Sequence, residues 1–150
     1  MNLAPPAAEN DRSLAYLLLR VTLGLNILMH GLSRLLAGQA VFAAGLDKMF
    51  QKAPLPAWQV HAFGVALSWI EGILGLLLLL GLGTRQALIG GGLLIAVLTF
   101  GSALIQNWDA AGLQLIYAAN YAALLAFRHW NRYSIDAAIA TGWEKRAEPE

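Results

Sequence analysis

Four apolar stretches separated by short polar breaks organise the chain: about Leu14 to Leu36, Val60 to Leu82, Gln86 to Ile105 and Gly112 to Phe127. About 20 mostly apolar residues carry a helix across the hydrocarbon core, so each stretch is read as a membrane span. Gly81-Leu82-Gly83-Thr84-Arg85 turns the chain between the second and third spans, and Gln106-Asn107-Trp108-Asp109 separates the third from the fourth. The longest connection, Ala37 to Gln59, sets Phe42, Leu46, Met49 and Phe50 on one helical face and Asp47, Lys48, Gln51 and Lys52 elsewhere. That pattern predicts a short amphipathic helix at the outer interface, broken by Pro54 and Pro56. Beyond the fourth span, Ser134 suits the N-cap of another short helix with Ile135, Ala138 and Ile139 on its apolar side. The expected fold is all-α, an integral membrane four-helix bundle with short interfacial helices in the first outer connection and at the C-terminus. Residues 1–13 and 140–150 read as polar tails around one membrane domain over 14–139.

Small residues recur where such spans would touch. Gly64, Ser68 and Gly72 lie four apart on the second span, and Ala118, Ala122 and Ala126 do so on the fourth. Gly24 and Gly31 share a face of the first span with Arg20 and Ile27, and the third span holds Gly90-Gly91-Gly92 and Gly101. Close packing accounts for most of these glycines.

Composition agrees with a membrane class. The chain is 58% hydrophobic and 13% charged, about half the charge of an ordinary soluble domain, with mean hydropathy +0.57. A net charge of +1 and no basic cluster longer than Lys145-Arg146 exclude nucleic acid as a partner. With no cysteine, the chain offers no disulfide, thiolate, iron–sulfur or zinc-thiolate chemistry of its own. The first apolar stretch is too long for a signal-peptide core and no small-residue cleavage motif follows it, so it is read as retained. Arg12, Arg85, Arg128, Arg132, Lys145 and Arg146 outweigh Arg34, Lys48 and Lys52, which places both termini in the cytoplasm. Trp58 and Trp108 then fall at the outer boundary and Trp130, Tyr133 and Trp143 at the inner one, with Trp69 inside a span.

Glu71 is the chemical anomaly, because a charge at helix centre costs roughly 2.5–3.5 kcal/mol on insertion scales and demands a partner or water. Counting rise from Ser13 and Thr84 puts Glu71 about 20 Å from the cytoplasmic boundary, level with Asn26 and Thr99 and near Asn120. Arg20 lies about 10 Å up, so it is the expected ionic partner, reaching a polar layer of Glu71, Asn26, Thr99 and Asn120 from below. His30 sits a turn above Asn26, and Arg34 near the outer boundary. Two roles stay open for Glu71: a structural ion pair, or a proton or ligand site. His30 and His61 differ by about 9 Å in depth and His129 lies on the other side, so haem is not expected. The sequence has no nucleotide loop, HExxH motif, carboxylate-rich metal cluster or nucleophile triad, so no metal is expected either.

Several segments together resemble the DoxX family of small four-helix bacterial membrane proteins, which includes the DoxD-type subunit of thiosulfate:quinone oxidoreductase. They are Arg20 with Gly24, Met29-His30-Gly31-Leu32-Ser33-Arg34-Leu35, Trp69-Ile70-Glu71-Gly72 leading into Leu79 to Arg85, and Arg132-Tyr133-Ser134-Ile135-Asp136. Arg34 stands where the family commonly has lysine, and Asn131 replaces a glycine before the terminal Arg-Tyr. The resemblance implies a multi-pass protein of the bacterial inner membrane, tied to respiratory or sulfur-linked redox systems and, in some members, to quinone. Under it, Glu71, Arg20 and His30 are candidate catalytic groups, with Asn26, Trp69, Thr99, Tyr117 and Asn120 bordering a bound quinone. Electrons would come from another subunit. The alternative is a non-catalytic anchor or assembly subunit, packed on partner chains or on further copies of itself. A solute transporter is disfavoured, as neither an internal repeat nor a clearly broken helix is present.

Overall fold

Glycine decides where the helices of this chain touch and where they turn. In the computed structural model, which describes residues 6–147 with side chains from Ala8 to Gly142, the helices are α1 (Pro6–Ala37), α2 (Gln39–Met49), α3 (Ala57–Leu80), α4 (Thr84–Leu104), α5 (Trp108–Ala126) and α6 (Ile135–Ala147). A 3-10 turn, Arg128–Trp130, links α5 toward α6. Among the described residues the fold is all-helical, and α1, α3 and α4 are long and apolar enough to cross a membrane.

The tightest contact joins α1 to α3. A methyl group added at Gly24 would lie 2.9 Å from the Leu79 nitrogen, one at Gly75 would fall on the backbone of Leu28, and one at Gly31 on that of Gly72. These three approaches share one antiparallel register, and only glycine lets two helix backbones come so close. Continued along α1, the same register sets Arg34 level with Trp69, two residues from Glu71, and Arg20 level with Gly83, beyond the end of α3. The N-terminal part of α1 therefore extends past α3. α2 fills the opposite gap, where α3 extends past the end of α1: its Ala43 and Leu46 pack on Gly64. His61 on α3 also pairs with Asp47 on α2 at 2.7 Å.

Short turns fix the rest. Gly81 and Gly83 adopt left-handed backbone angles (φ +65° and +56°), and the Leu82 N–H returns to the Leu77 carbonyl at 3.0 Å, which closes α3 and starts α4 within four residues. The Asn107 side chain accepts from the Ala110 N–H at 3.1 Å and so caps α5. α5 packs antiparallel to α4, with the Tyr121 ring filling the space above Gly91 and the Gln114 amide donating to Ser102 at 3.0 Å.

A polar knot ties the C-terminal segment to the α3–α4 turn. Asp136 accepts from the Gly83 and Thr84 N–H groups at 2.7 and 2.8 Å, capping α4, while its own N–H donates to the Gly81 carbonyl at 3.0 Å. The Asn131 amide donates to the Thr84 hydroxyl at 3.0 Å. Ser134 accepts from the Ala137 N–H at 3.1 Å, the N-cap expected from sequence. Burial works against the Asp136 carboxylate, but hydrogen bonds from Thr84 and Gly83 and the nearby Arg128 overcome it and hold the carboxyl below its usual range.

Helix extends into both polar tails. Pro6 opens α1, a position where a missing N–H costs nothing, and the helix runs unbroken through Ser13, whose buried hydroxyl donates to the Glu9 carbonyl. α6 likewise continues to Ala147, through most of the expected C-terminal tail. Residues 1–5 and 148–150, and the side chains of Trp143, Lys145 and Arg146, lie outside what is described.

Two outcomes follow from this packing. Gly75→Ala should destabilise the purified protein by about 1–3 kcal/mol, the range for overpacking, whereas Gly72→Ala, which meets nothing within 4 Å, should leave its thermal midpoint in detergent unchanged. Equal shifts for the two would show that the α1–α3 register is wrong. Because the Asp136 carboxyl is depressed in the folded state, its contribution is complete above the ordinary aspartate value of about 3.9 and is lost as pH falls through the lower folded value. Wild type should therefore lose stability below about pH 4 relative to Asp136→Asn, and at neutral pH the variant should be weaker by about 1 kcal/mol, as for other lost caps.

Candidate functional site

The register that brings α1 onto α3 also supplies the partner of Glu71. Arg34 donates to the Glu71 carboxylate, so the ionic partner is Arg34 and not Arg20. Counting depth from Ser13 fails because α1 starts lower than α3 ends: Arg34 and Arg20 lie about 21 Å apart along one helix, and only Arg34 is level with Glu71. The Glu71 side chain is 5% exposed and that of Arg34 22%, so the acid is enclosed and the base forms its outer cover. Phe42 of α2 stacks on the Arg34 guanidinium at 4.2 Å. His30 and Tyr121 lie within electrostatic reach of Glu71, His30 exposed and Tyr121 buried at 2%.

Arg34 forms the inner end of a cavity of about 550 Å³ between α2, α3, α4 and the start of α5. The apolar face of α2, with Phe42, Leu46, Met49 and Phe50, roofs it, as the amphipathic pattern predicts. Phe63, Leu67 and Phe100 form the opposing walls, and Gln59, Asn107 and Gln114 bring polar groups to the outer end. The cavity is thus an apolar slot with a single cation at its deep end. Its volume lies in the range of small-molecule sites.

The other sequence candidates do not gather here. Arg20 is 1% exposed and closes the far end of α3: it donates to the carbonyls of Leu78, Leu79 (3.2 Å) and Tyr133 (2.7 Å). Asn26, Tyr117 and Asn120 share a cleft of about 270 Å³ between α1 and α5, where the Tyr117 hydroxyl donates to Asn26 at 3.0 Å. Trp69 is half exposed on the outside of α3 and its indole N–H donates to Gln39 at 3.0 Å. The Thr99 hydroxyl donates to the Ile95 carbonyl of its own helix at 2.8 Å. The single polar layer anticipated for Glu71, Asn26, Thr99 and Asn120 is therefore divided among separate places. Depth counting sets Arg34 apart from Glu71, although the family resemblance includes its segment and points to it, and Gln114 and Tyr121 are not singled out from sequence at all. A signal for Arg34 was present, since it continues the Arg20, Gly24, Ile27, Gly31 stripe at helical spacing.

Long apolar helices packed through glycine, with a carboxylate enclosed by an arginine between them, define a polytopic helical membrane protein. The chain belongs to the DoxX family, whose family model matches residues 15–108. That span contains Arg20, His30, Arg34, Glu71 and most of the cavity wall, whereas Tyr117, Asn120, Tyr121 and Arg132 to Asp136 follow it. No curated protein and no solved structure matches the chain.

A double-mutant cycle tests the pairing. Glu71→Gln and Arg34→Gln should each cost about 3–5 kcal/mol, the cost of stranding one member of a buried pair, and the double variant should cost far less than their sum. Arg20→Gln combined with Glu71→Gln should be additive in the same unfolding measurement.

Proposed function

We propose that this DoxX-family protein is a quinone-interacting membrane subunit of a redox system, with the Arg34–Glu71 pair at the head of its ligand slot. In this reading α5 is a fourth span, α2 lies at the outer face, α6 lies along the inner surface, and both termini are cytoplasmic in a bacterial inner membrane. The moderate excess of arginine around the termini supports that orientation. The observation that carries the proposal is the apolar slot of about 550 Å³ with Arg34 fixed at its inner end by Glu71.

A quinone matches such a slot by polarity. Its isoprenoid tail would lie among the phenylalanines and leucines of α2, α3 and α4, and its ring carbonyl would accept a hydrogen bond from Arg34. A guanidinium favours the more electron-rich, reduced head group, and Glu71 holds that guanidinium in place while keeping the site's net charge near zero. Glu71 is the candidate proton donor on reduction, a role in which its carboxylate, released from Arg34, first takes up a proton from water and then passes it to the reduced ring oxygen. Electrons must arrive from a partner protein, since the chain has no cysteine and its three histidines fall in separate regions.

A non-catalytic assembly role is favoured by a different observation. The pair is closed on itself and Arg20 serves only backbone carbonyls, so both charges are satisfied without any ligand. Titration of the purified protein with a short-chain ubiquinone in detergent separates the two. Saturable binding that weakens about tenfold or more in Arg34→Gln, the weight of one charged hydrogen bond, supports the quinone site. Binding that is absent, or equal in wild type and a folded Arg34→Gln, supports the assembly role.

A further inference from the structure

The overshoot of α1 past α3 leaves a second cavity at the opposite end of the molecule. It holds about 510 Å³ between the N-terminal half of α1, the last turns of α5 and the 3-10 turn. Its lining is graded along the helix axes. The end toward the middle of the bundle is apolar, with Leu19, Ala123 and Leu124, and Phe127 continues that wall. About 10 Å further along α1 come Arg12 and, opposite it, His129 and Trp130. The aromatic groups form one surface, with His129 against Trp130 at 4.9 Å and against Phe127 at 6.4 Å.

Charge at this end is not balanced. Arg132 is paired with Glu9 at 3.1 Å, which also withdraws Glu9 from Arg12 one turn later on the helix. Asp11 is adjacent in sequence and so faces another side of α1. The Arg12 guanidinium instead lies 5.2 Å over the Trp130 ring, and among the described residues it has no carboxylate within ion-pair distance. A wholly apolar cleft would be filled by any lipid tail, but a cation at its rim selects by charge.

We infer that this cleft binds an anionic phospholipid of the adjacent leaflet, its phosphate against Arg12 and His129 and one acyl chain along Leu19, Ala123 and Phe127. An imidazole donates from one ring nitrogen in either tautomer, so His129 serves a phosphate oxygen whatever its charge. Basic pockets between spans recognise anionic head groups in this way, and a tryptophan at the rim sits at the head-group level. The site is distinct from the quinone slot, which opens at the other end of α3, and stands or falls without it.

Native mass spectrometry of the full chain, in detergent doped with equal phosphatidylglycerol and phosphatidylcholine, tests the inference. The protein should retain phosphatidylglycerol preferentially. Arg12→Gln should reduce that preference about fivefold, the weight of one charge at an anionic surface, while Lys52→Gln at the far end leaves it unchanged. Leu19→Trp, which keeps Arg12 but fills the apolar end, should expel the lipid and so tests the cleft should Arg12→Gln fold poorly. Equal retention of the two lipids by wild type overturns the inference, as does a loss in Lys52→Gln matching that in Arg12→Gln. Undiminished retention in Leu19→Trp, or displacement of the lipid by inorganic phosphate alone, also overturns it, because the apolar wall would then have no part in binding.

Discussion

The backbone contact between α1 and α3 is the constraint on which the other features depend. Gly24, Gly31 and Gly75 remove the side chains that would hold two helices apart, and the helices then lock in one antiparallel register. In a bilayer no hydrophobic effect drives helices together, since lipid is as apolar as leucine, so close packing of this kind supplies much of the association energy. A register set by backbone contact cannot slide by one residue without collisions at all three glycines. The positions of Arg34, Arg20 and the overhanging half of α1 are consequences of it.

The two arginines of α1 illustrate how the same residue type acquires different work from its level on the neighbouring helix. Arg34 meets α3 in mid-helix, where every backbone carbonyl is already bonded, and only a side chain can answer its charge; Glu71 does so. Arg20 meets α3 in its last turn, where the carbonyls fall outside the regular helical ladder and are met only by the N–H groups of the Gly81 cap, and where the helix dipole presents partial negative charge. It therefore binds Leu78, Leu79 and Tyr133 through their carbonyls and needs no acid. Asp136 is the counterpart at the start of α4, where free N–H groups face a carboxylate. Arg20 and Asp136 thus satisfy the two helix ends of one tight turn, and the segment from Arg132 to Asp136 is the strap that joins them.

Much of this was legible in the sequence. Periodicity and length gave the helices, the Phe42 to Phe50 stripe marked the face of α2 that lines the cavity, and the cap at Ser134 and the turn at Gly81 to Arg85 fell where their residues predicted. Helix ends were less legible, because the polar residues before Ser13 read as a tail although nothing in them prevents a helix from continuing. That error propagated: depth was counted from the wrong zero, and Glu71 was matched to Arg20. Relative helix levels are a tertiary quantity, fixed by which glycines touch, and no count along a single helix contains them. Asn26 and Asn120 do meet in one cleft with Tyr117, but the α1–α3 register sets Asn26 level with Leu77, six residues along α3 from Glu71, and Thr99 bonds its own helix, so the expected common layer does not form.

The asymmetry within the buried pair has a further consequence for chemistry. Glu71 lies behind Arg34, enclosed between α1 and α3, while Arg34 reaches the cavity, where Phe42 stacks on it. A molecule entering the slot meets the cation first, and meets it already neutralised from behind. The desolvation cost of burying the pair is met in folding and not again on binding, so a neutral, polarisable head group loses little by approaching it. An anion would gain less there than at Arg12, where among the described residues no carboxylate lies within ion-pair distance of the guanidinium. Ligands as proposed for the two cavities would therefore be chosen by charge for one physical reason: whether the arginine lining each cavity has already been given an acid by the α1–α3 register.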